Sequence, residues 1–282
     1  MQARRRSYQS DVVARIEALR DRFERVDYGE IRYEDECYPL YALRSRAIDR
    51  ALPNVLVTGG VHGYETSGVL GALAFLDQRA SDYGGRINLL VAPCVSPWAY
   101  ERINRWNYNA IDPNRNFRSD GPAEATHLID LVRSFADDFL LHIDLHETTD
   151  SDRTEFGPAL SARDGKVFVD GEIPDGFYLV ADSADRQLDF QKAIIAAVEG
   201  VTHIAPSDAK GEIIGSPVIA RGVIEYPLAQ LSLCPSITNA RFKTTTEVYA
   251  DSPRATPDIC TRAQVVAVRA AIDFALKAWV AH

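Results

Sequence analysis

The segment NVLVTGGVHGYETSGVLGALAFLDQRA, residues 54–80, carries the pattern that decides the fold. It opens with a short apolar run that ends in two glycines, which predicts a buried strand over 54–60. Apolar residues at helical spacing follow and predict a helix over 66–80. Between them the polar side chains of VHGYE come directly after the strand. This order is typical of an α/β sheet that binds ligands beyond the carboxyl ends of its strands.

The same reasoning extends the pattern along the chain. Further strands are predicted at 87–95, 139–147, 177–182 and 222–228, and further helices at 8–24, 122–137, 185–200 and 261–280. Residues 31–45 alternate like two antiparallel strands, so the sheet is expected to be mixed. The predicted fold class is therefore α/β, with a mixed, mostly parallel twisted sheet and helices on both faces. Because no repeat or low-complexity linker interrupts it, we expect one domain over residues 1–282.

Composition removes several classes of partner. The formal net charge of −9 argues against nucleic acid, because phosphate binding needs a basic face. The sequence contains no run of about 18 apolar residues, so no membrane span is predicted. The N-terminus lacks the apolar stretch of a secretory signal, so a cytoplasmic location is expected. The four cysteines are scattered without metal-ligand spacing and are expected to be core or surface thiols.

His62 and Glu65 stand three residues apart between the first strand and helix. Zinc binds imidazole nitrogen and carboxylate oxygen, so the pair offers two ligands at one edge of the sheet. A strand-end histidine followed by a carboxylate near a helix N-terminus is the alternative interpretation, since the helix dipole favours a negative charge there.

A third ligand is expected from the strand that contains LLHIDLHE. Alternation places His142, Asp144 and His146 on one side of that strand, and His146 stands at its carboxyl end. His142 lies deeper and is expected to be a core histidine. With His62 and Glu65, His146 completes a three-ligand zinc site that leaves one position for water. A second metal is conceivable at the nearby acidic residues Asp144, Glu147, Asp150 and Asp152, although a solvated acidic loop also explains them.

The loop RWNYNAIDPNRNF, residues 105–117, contributes two arginines. The planar guanidinium of arginine binds a carboxylate through two hydrogen bonds and keeps its charge. Arg105 and Arg115, with Asn114 beside the latter, are therefore suited to hold a carboxylate and to polarise a carbonyl. The alternative is a polar surface loop whose arginines are solvated.

Together these motifs resemble the zinc metallocarboxypeptidase family typified by pancreatic carboxypeptidase A, and its small bacterial members most. The resemblance rests on the HxxE at 62–65, Arg105 nine positions before Asn114, Arg115 within DPNRNF, His146, and a glutamate, Glu225, within GVIEYP. It spans roughly residues 50–230 and implies one zinc ion per chain.

The resemblance also implies a role for each matching residue. His62, Glu65 and His146 would be the zinc ligands, with Asp112 accepting a hydrogen bond from a ligand histidine. Glu225 would be the general base that activates water, although a strand-end glutamate at a surface edge is the alternative interpretation.

The substrate would be held by the arginine loop in this resemblance. Asn114 and Arg115 would bind its terminal carboxylate, and Arg105 would stabilise the oxyanion that forms at the scissile carbonyl. The family also places a substrate-contacting tyrosine about twenty residues before its catalytic glutamate, and counting back from Glu225 reaches no tyrosine. Side-chain selectivity would come from about 205–221, which contains Lys210, Glu212 and Arg221, and a basic residue there would favour an acidic side chain.

The implied activity is zinc-dependent removal of C-terminal amino acids from peptides. A zinc deacylase of N-acyl amino acids, like aspartoacylase or succinylglutamate desuccinylase, is the alternative. Those enzymes carry DLNR and a C-terminal β-domain, whereas this sequence has DPNRNF and a final predicted helix. An inactive relative that binds carboxylates is a further alternative, which the presence of Glu225 disfavours. The expected partner is a peptide or N-acyl amino acid with a free carboxylate, and the polar segment 148–176 is expected to be a functional loop.

Overall fold

An eight-stranded sheet with helices on both faces forms the body of the protein. The computed structural model describes residues 3–280. The strands are β1 (Phe23–Tyr33), β2 (Glu36–Ser45), β3 (Asn54–Gly59), β4 (Asn88–Ala92), β5 (Leu141–Thr148), β6 (Tyr178–Asp182), β7 (Glu212–Ile213), β8 (Ser216–Pro217), β9 (Val223–Tyr226) and β10 (Phe242–Tyr249). The helices are α1 (Ala14–Ala18), α2 (Thr66–Gln78), α3 (Pro97–Arg102), α4 (Ala123–Phe135), α5 (Gly157–Arg163), α6 (Leu188–Val198) and α7 (Pro257–Val280).

The strands lie in the order β1-β2-β4-β3-β5-β10-β6-β9, and β7 and β8 form a separate hairpin. The central strands β4, β3, β5 and β10 are mutually parallel, whereas β1, β2 and β6 join the sheet by antiparallel pairing. The edge strand β9 runs parallel to β6. The predicted fold class, a mixed and mostly parallel sheet covered on both faces, is confirmed.

Alternation along β5 separates the two faces of the sheet. Leu141, Ile143 and Leu145 are buried in the larger apolar core, which also contains residues of α2, α6 and α7. The side chains between them, beginning with His142, lie on the other face of the sheet, where α4 packs in a smaller core. The sheet therefore has one apolar face and one that turns polar toward the carboxyl ends of its strands.

Most predicted elements are confirmed with ends that differ by a few residues, but one prediction fails and one central strand was missed. The helix predicted over 8–24 ends at Ala18, because the chain from Phe23 onward pairs with β2, starting at Phe23 and Ser45. The missed strand is β10, a central strand that the sequence analysis did not predict. Its residues Thr244 and Thr246 are buried on the face that α6 and α7 cover. Their hydroxyls donate to Gln191 Oε1 at 2.7 Å and Gln264 Oε1 at 2.6 Å.

Among residues 3–280, no helix has both the length and the hydrophobicity that a membrane span requires. One domain over 1–282 remains a prediction, and its residues 1–2 and 281–282 lie outside the described part of the chain.

Candidate metal centre

The turn from His62 to Glu65 joins the end of β3 to the start of α2. Its position depends on a close approach at Gly63, because a Cβ there would lie 2.0 Å from the backbone carbon of Ala99 and 2.1 Å from the backbone nitrogen of Tyr100. The carboxylate of Glu147 then caps α2, since it accepts hydrogen bonds from the backbone N–H groups of Thr66 at 2.9 Å and Ser67 at 2.7 Å. The turn is thus fixed against α3 on one side and β5 on another.

We expect Gly63→Ala to be strongly destabilising, because the atoms in the way are backbone atoms that cannot rotate aside. Overpacking of this kind costs about 1–3 kcal/mol in the free energy of unfolding, which thermal or denaturant unfolding would measure. Gly171→Ala is the control, since a Cβ there would meet no atom within 4 Å and should change stability by less than about 0.5 kcal/mol. Equal stability of the two variants would contradict this account of the turn.

His62, Glu65 and His146 come together in the folded chain although 84 residues separate the first from the last. Their candidate ligand atoms all lie within 4.8 Å of one another, and all three side chains are buried. Glu65 Oε1 lies 2.6 Å from His62 Nδ1, and Glu65 Oε2 lies 2.7 Å from His146 Nδ1. Burial opposes ionisation of Glu65, but the two imidazoles outweigh it and lower the pKa of Glu65 to about 2.

Each of the two imidazoles has a second carboxylate at its other nitrogen. Asp112 Oδ1 lies 2.9 Å from His62 Nε2, and Asp144 Oδ2 lies 2.7 Å from His146 Nε2. These contacts orient both rings so that their Nδ1 atoms face Glu65. The structure thus places Asp112 where the resemblance implied, and it gives Asp144 an equivalent position that the sequence analysis did not predict.

The group fits a zinc ion by its donor set and by the contacts of one buried oxygen atom. Two imidazole nitrogens and a carboxylate oxygen are the ligands of many catalytic zinc sites, and carboxylates behind the histidines are their usual support. Glu65 Oε2 is buried, and its contact with His146 Nδ1 does not have the geometry of a hydrogen bond. A buried carboxylate oxygen without a well-formed hydrogen bond is costly unless a cation satisfies it.

No second cluster of this kind occurs among residues 3–280. The acidic residues considered for a second metal have protein partners instead. Asp144 binds His146, Glu147 caps α2, Asp150 accepts a hydrogen bond from the Tyr249 hydroxyl at 2.7 Å, and Asp152 binds Arg105. His142 is a core histidine between the hydroxyls of Thr58 and Thr238, and burial lowers its pKa to about 4.

Arg105 lies beside the cluster of His62, Glu65 and His146, which we call the metal group, and is held by two carboxylates. Its Nε donates to Asp112 Oδ2 at 3.1 Å, and its Nη1 donates to Asp152 Oδ1 at 3.2 Å and to the Tyr64 hydroxyl at 3.1 Å. Its Nη2 makes no hydrogen bond to the described residues. Asp112 therefore contacts both His62 and Arg105.

Arg115, unlike Arg105, has no ion pair with a carboxylate of the described residues. Its Nη1 donates to the carbonyl of Asn114 at 2.7 Å, and none of residues 3–280 forms an ion pair with it. Burial lowers the pKa of Arg115. Asn114 is fixed by its own Oδ1, which accepts from the Cys234 backbone N–H at 2.8 Å, and its Nδ2 lies 3.4 Å from His146 Nε2. An uncompensated, largely buried guanidinium favours an anionic ligand.

Glu225 is not brought into this site. Alternation along β9 places Tyr226 on the cavity face and Glu225 on the opposite face, where its two carboxylate oxygens pair with the guanidinium of Arg186. The position expected for Glu225 from the sequence is therefore wrong, and the surface-edge alternative describes it better.

Glu247, on β10, is a second glutamate that lies on the cavity side of the sheet. It pairs in register with His146 of the parallel strand β5, and both side chains line the same cavity. Its Oε2 accepts a hydrogen bond from the Thr148 hydroxyl at 3.0 Å. Burial, with smaller contributions from the charges of Glu65 and Asp152, raises the pKa of Glu247 to about 8. The run TTTEVY, rich in β-branched residues, is the signal that could have predicted this strand.

A cavity of about 950 Å³ opens in front of the metal group. His62, Glu65, Arg105, Asn114, Arg115, His146 and Glu247 all line it. Its outer wall includes Arg153, whose guanidinium pairs with Asp170, and much of the segment 157–175, within the loop 148–176 marked as functional from sequence. Tyr226 also lines the cavity and stands 21 residues before Glu247. The resemblance implied a tyrosine about twenty residues before the catalytic glutamate, and no tyrosine stands at that distance before Glu225.

Residues from 206 onward form another part of the wall. Lys210 and Glu212 both line the cavity, whereas Arg221 pairs with Glu199 outside it. Deeper in the cavity the lining side chains of Tyr178, Val180, Ile213 and Leu233 are buried and mostly apolar. Of the charged residues expected to set side-chain selectivity, one basic residue, Lys210, and one acidic residue, Glu212, therefore line the cavity.

Comparison with known proteins agrees with this geometry. Residues 51–167 match the family model of the succinylglutamate desuccinylase/aspartoacylase catalytic domain. The matched range contains His62, Glu65 and His146 but ends before β10. No curated protein shows significant sequence similarity to the chain.

Solved structures share the fold over nearly the whole chain. A candidate metallopeptidase from Shewanella amazonensis has a TM-score of 0.69 at 20% identity, with 97% of this chain and 98% of that one covered. Carboxypeptidase A from Helicoverpa armigera has a TM-score of 0.65 at 16% identity, with 97% and 74% covered. A metallo-carboxypeptidase from Pseudomonas aeruginosa in complex with (2-guanidinoethylmercapto)succinic acid has a TM-score of 0.61 at 12% identity, with 95% and 69% covered.

The resemblance to metallocarboxypeptidases is confirmed at the level of the fold. The solved structures, at 20% identity or less, show a shared fold, and the family model adds sequence similarity over residues 51–167.

Proposed function

We propose that this chain, which has the metallocarboxypeptidase fold, is a zinc hydrolase that removes C-terminal amino acids from peptides. One observation carries the choice of substrate: Arg115, a largely buried cation without a carboxylate partner, lines the same cavity as the His62-Glu65-His146 group. A cavity of about 950 Å³ is large enough for the end of a short peptide.

His62, Glu65 and His146 would hold the zinc ion. When bound, zinc acts as a Lewis acid toward the carbonyl and lowers the pKa of water to ~7. Asp112 and Asp144 would keep the two imidazoles deprotonated at Nδ1 and correctly turned, since their carboxylates accept the Nε2 protons.

Glu247 is proposed as the general base in place of Glu225. It would take a proton from the attacking water as the oxygen adds to the scissile carbonyl carbon. The same proton would then pass to the departing nitrogen as the C–N bond breaks. A base works best when its pKa lies near the working pH, and burial of Glu247 in the cavity raises its pKa toward that range.

The two arginines would divide the negative charges of the substrate. Arg115 would pair with the terminal carboxylate through its planar guanidinium. Arg105 would donate from Nη2 to the oxygen of the carbonyl under attack, because Asp112 and Asp152 already engage its other nitrogens. A preorganised donor of this kind stabilises the charge that develops in the transition state.

A second candidate is deacylation of N-acyl amino acids. The match of residues 51–167 to the succinylglutamate desuccinylase/aspartoacylase model favours it. The same groups would hydrolyse the amide bond of such a substrate, with Arg115 again binding the amino acid carboxylate. The two candidates differ in the group on the acyl side, a peptide or a small acid.

A substrate panel should separate these candidates. We expect a short peptide with a free C-terminus to be cleaved about a hundredfold better, in kcat/KM, than its C-terminal amide, because pairing with a buried charge is worth about 2–5 kcal/mol. Arg115→Met should remove most of this preference. Lys210→Met is the matched control, since this exposed cation also lines the cavity, and it should keep the preference.

Other outcomes of the panel would redirect the proposal. Faster cleavage of N-acyl amino acids than of peptides would favour the deacylase. Equal cleavage of the free acid and the amide would remove Arg115 from carboxylate binding.

A further inference from the structure

The N-terminal segment reaches behind the metal-binding turn through Arg6. The Arg6 Nη2 donates to the Thr66 hydroxyl at 2.6 Å, and its Nη1 donates to the carbonyl of Gly63 at 3.4 Å. Its guanidinium also lies over the ring of Tyr100, 5.1 Å from the centroid. Arg6 therefore contacts the residue directly after His62 and the residue directly after Glu65.

The backbone around Arg6 is anchored, so this contact is not that of a loose surface arginine. The backbone N–H groups of Arg5 and Arg6 donate to the carbonyl of Glu101, at 2.7 and 3.1 Å, and Tyr8 N–H donates to Glu101 Oε1 at 2.9 Å. Glu101 is buried, and its other oxygen accepts from the Tyr38 hydroxyl at 2.9 Å. The segment is thus attached to α3, against which Gly63 also packs.

Thr66 consequently has restraints on both its backbone and its side chain. Its N–H donates to Glu147, its hydroxyl accepts from Arg6, and the same hydroxyl donates to the carbonyl of Tyr64 at 3.3 Å. Hydrogen bonds from a charged donor are stronger than neutral ones. Arg6 therefore links the backbone on both sides of Glu65 at a single guanidinium.

We propose that Arg6 is a positioning residue for the metal centre, which sets zinc affinity by holding the turn from His62 to Thr66 in its binding conformation. This inference rests on the proposed zinc site. Ligands that are ordered before binding lose less conformational entropy when the ion arrives. Groups that hold metal ligands in place typically change affinity by about 10–100-fold.

Zinc affinity of the full-length protein tests this role directly. Metal would be removed with a chelator, and zinc would then be titrated in competition with a chromophoric chelator. We expect Arg6→Met to bind zinc about tenfold more weakly than the unmodified chain. Arg5→Met is the matched control, because the exposed Arg5 side chain makes no hydrogen bond to residues 3–280, and its affinity should not change.

Thr66→Val removes the acceptor of the same contact and guards against misfolding of the first variant. It should weaken zinc binding by a similar factor. The loss in the double variant Arg6→Met/Thr66→Val should be clearly smaller than the sum of the two single losses, because both substitutions remove the same Arg6–Thr66 hydrogen bond.

The melting temperature of the metal-free protein separates positioning from general stability. A lower melting temperature of folded Arg6→Met with unchanged zinc affinity would overturn the inference, as would independent, additive effects of the two substitutions. If the unmodified chain takes up no zinc, the proposed metal site itself falls, and the role of Arg6 with it.

Discussion

Glu247→Gln should reduce hydrolysis about a thousandfold while zinc remains bound. The amide has nearly the shape of the carboxylate, but it cannot accept a proton from water, and general base catalysis typically contributes about 10²–10⁴-fold. Glu247 is not among the three clustered ligand residues, so zinc content should stay near one ion per chain. The measurements are kcat with the best substrate and metal analysis of the same sample.

Glu225→Gln is the matched control for this experiment. Both glutamates lie on strands of the sheet, but Glu225 pairs with Arg186 on the face away from the cavity. We expect its activity to stay close to that of the unmodified chain. Loss of activity in Glu225→Gln and full activity in Glu247→Gln would restore the assignment made from the sequence.

His146→Ala should weaken zinc binding by more than about a hundredfold and abolish hydrolysis. The substitution removes one of three protein ligands, which costs more than the loss of a supporting group. It also leaves Asp144 and Glu65 buried together without the imidazole between them. Chelator competition measures the affinity, and added zinc should restore hydrolysis only at high concentration.

His142→Gln provides the comparison on the same strand. His142 is equally buried, lies four residues before His146 on β5, and contacts two threonine hydroxyls instead of the His62-Glu65-His146 group. We expect a lower melting temperature with zinc affinity unchanged. Equal loss of zinc in both histidine variants would show that the effect comes from strand β5 as a whole.

The candidate metal ligands could be predicted from the sequence because each lies at or near the end of a strand that the apolar pattern predicts. His62 and Glu65 come after β3, and His146 lies near the carboxyl end of β5, so parallel neighbours bring them to one edge. Asp144 was visible on the correct side of its strand, but its contact with His146 depends on side-chain rotamers that no pattern reveals.

Glu225 was expected at the site because apolarity was taken as the sign of a central strand. GVIEYP is apolar but forms the edge strand β9, whereas the polar run FKTTTEVY forms the central strand β10. Threonines are tolerated inside the sheet because Gln191 and Gln264 satisfy their hydroxyls. These glutamines lie on α6 and α7, outside the run FKTTTEVY, so that run alone does not predict that the strand is buried.

The important residues of the arginine loop could be predicted from the sequence, but the ion pairs that they form could not. Asp112 was expected behind a histidine, yet its second contact, with Arg105, follows from the path of the loop. The segment after β5 was expected to be functional, and its residue Asp152 does reach Arg105. Long-range ion pairs of this kind depend on tertiary structure rather than on spacing.

The position of β10 has a consequence for how the protein is made. This strand is the last of the strands described within residues 3–280 but lies between β5 and β6, so the ribosome has produced the other strands of this sheet before the gap can be filled. Until then β5 and β6 expose unpaired edges, which are aggregation hazards, and closing so long a loop is slow. The same late insertion brings Glu247 to the cavity, so the proposed hydrolytic site would be complete only when the sheet is complete.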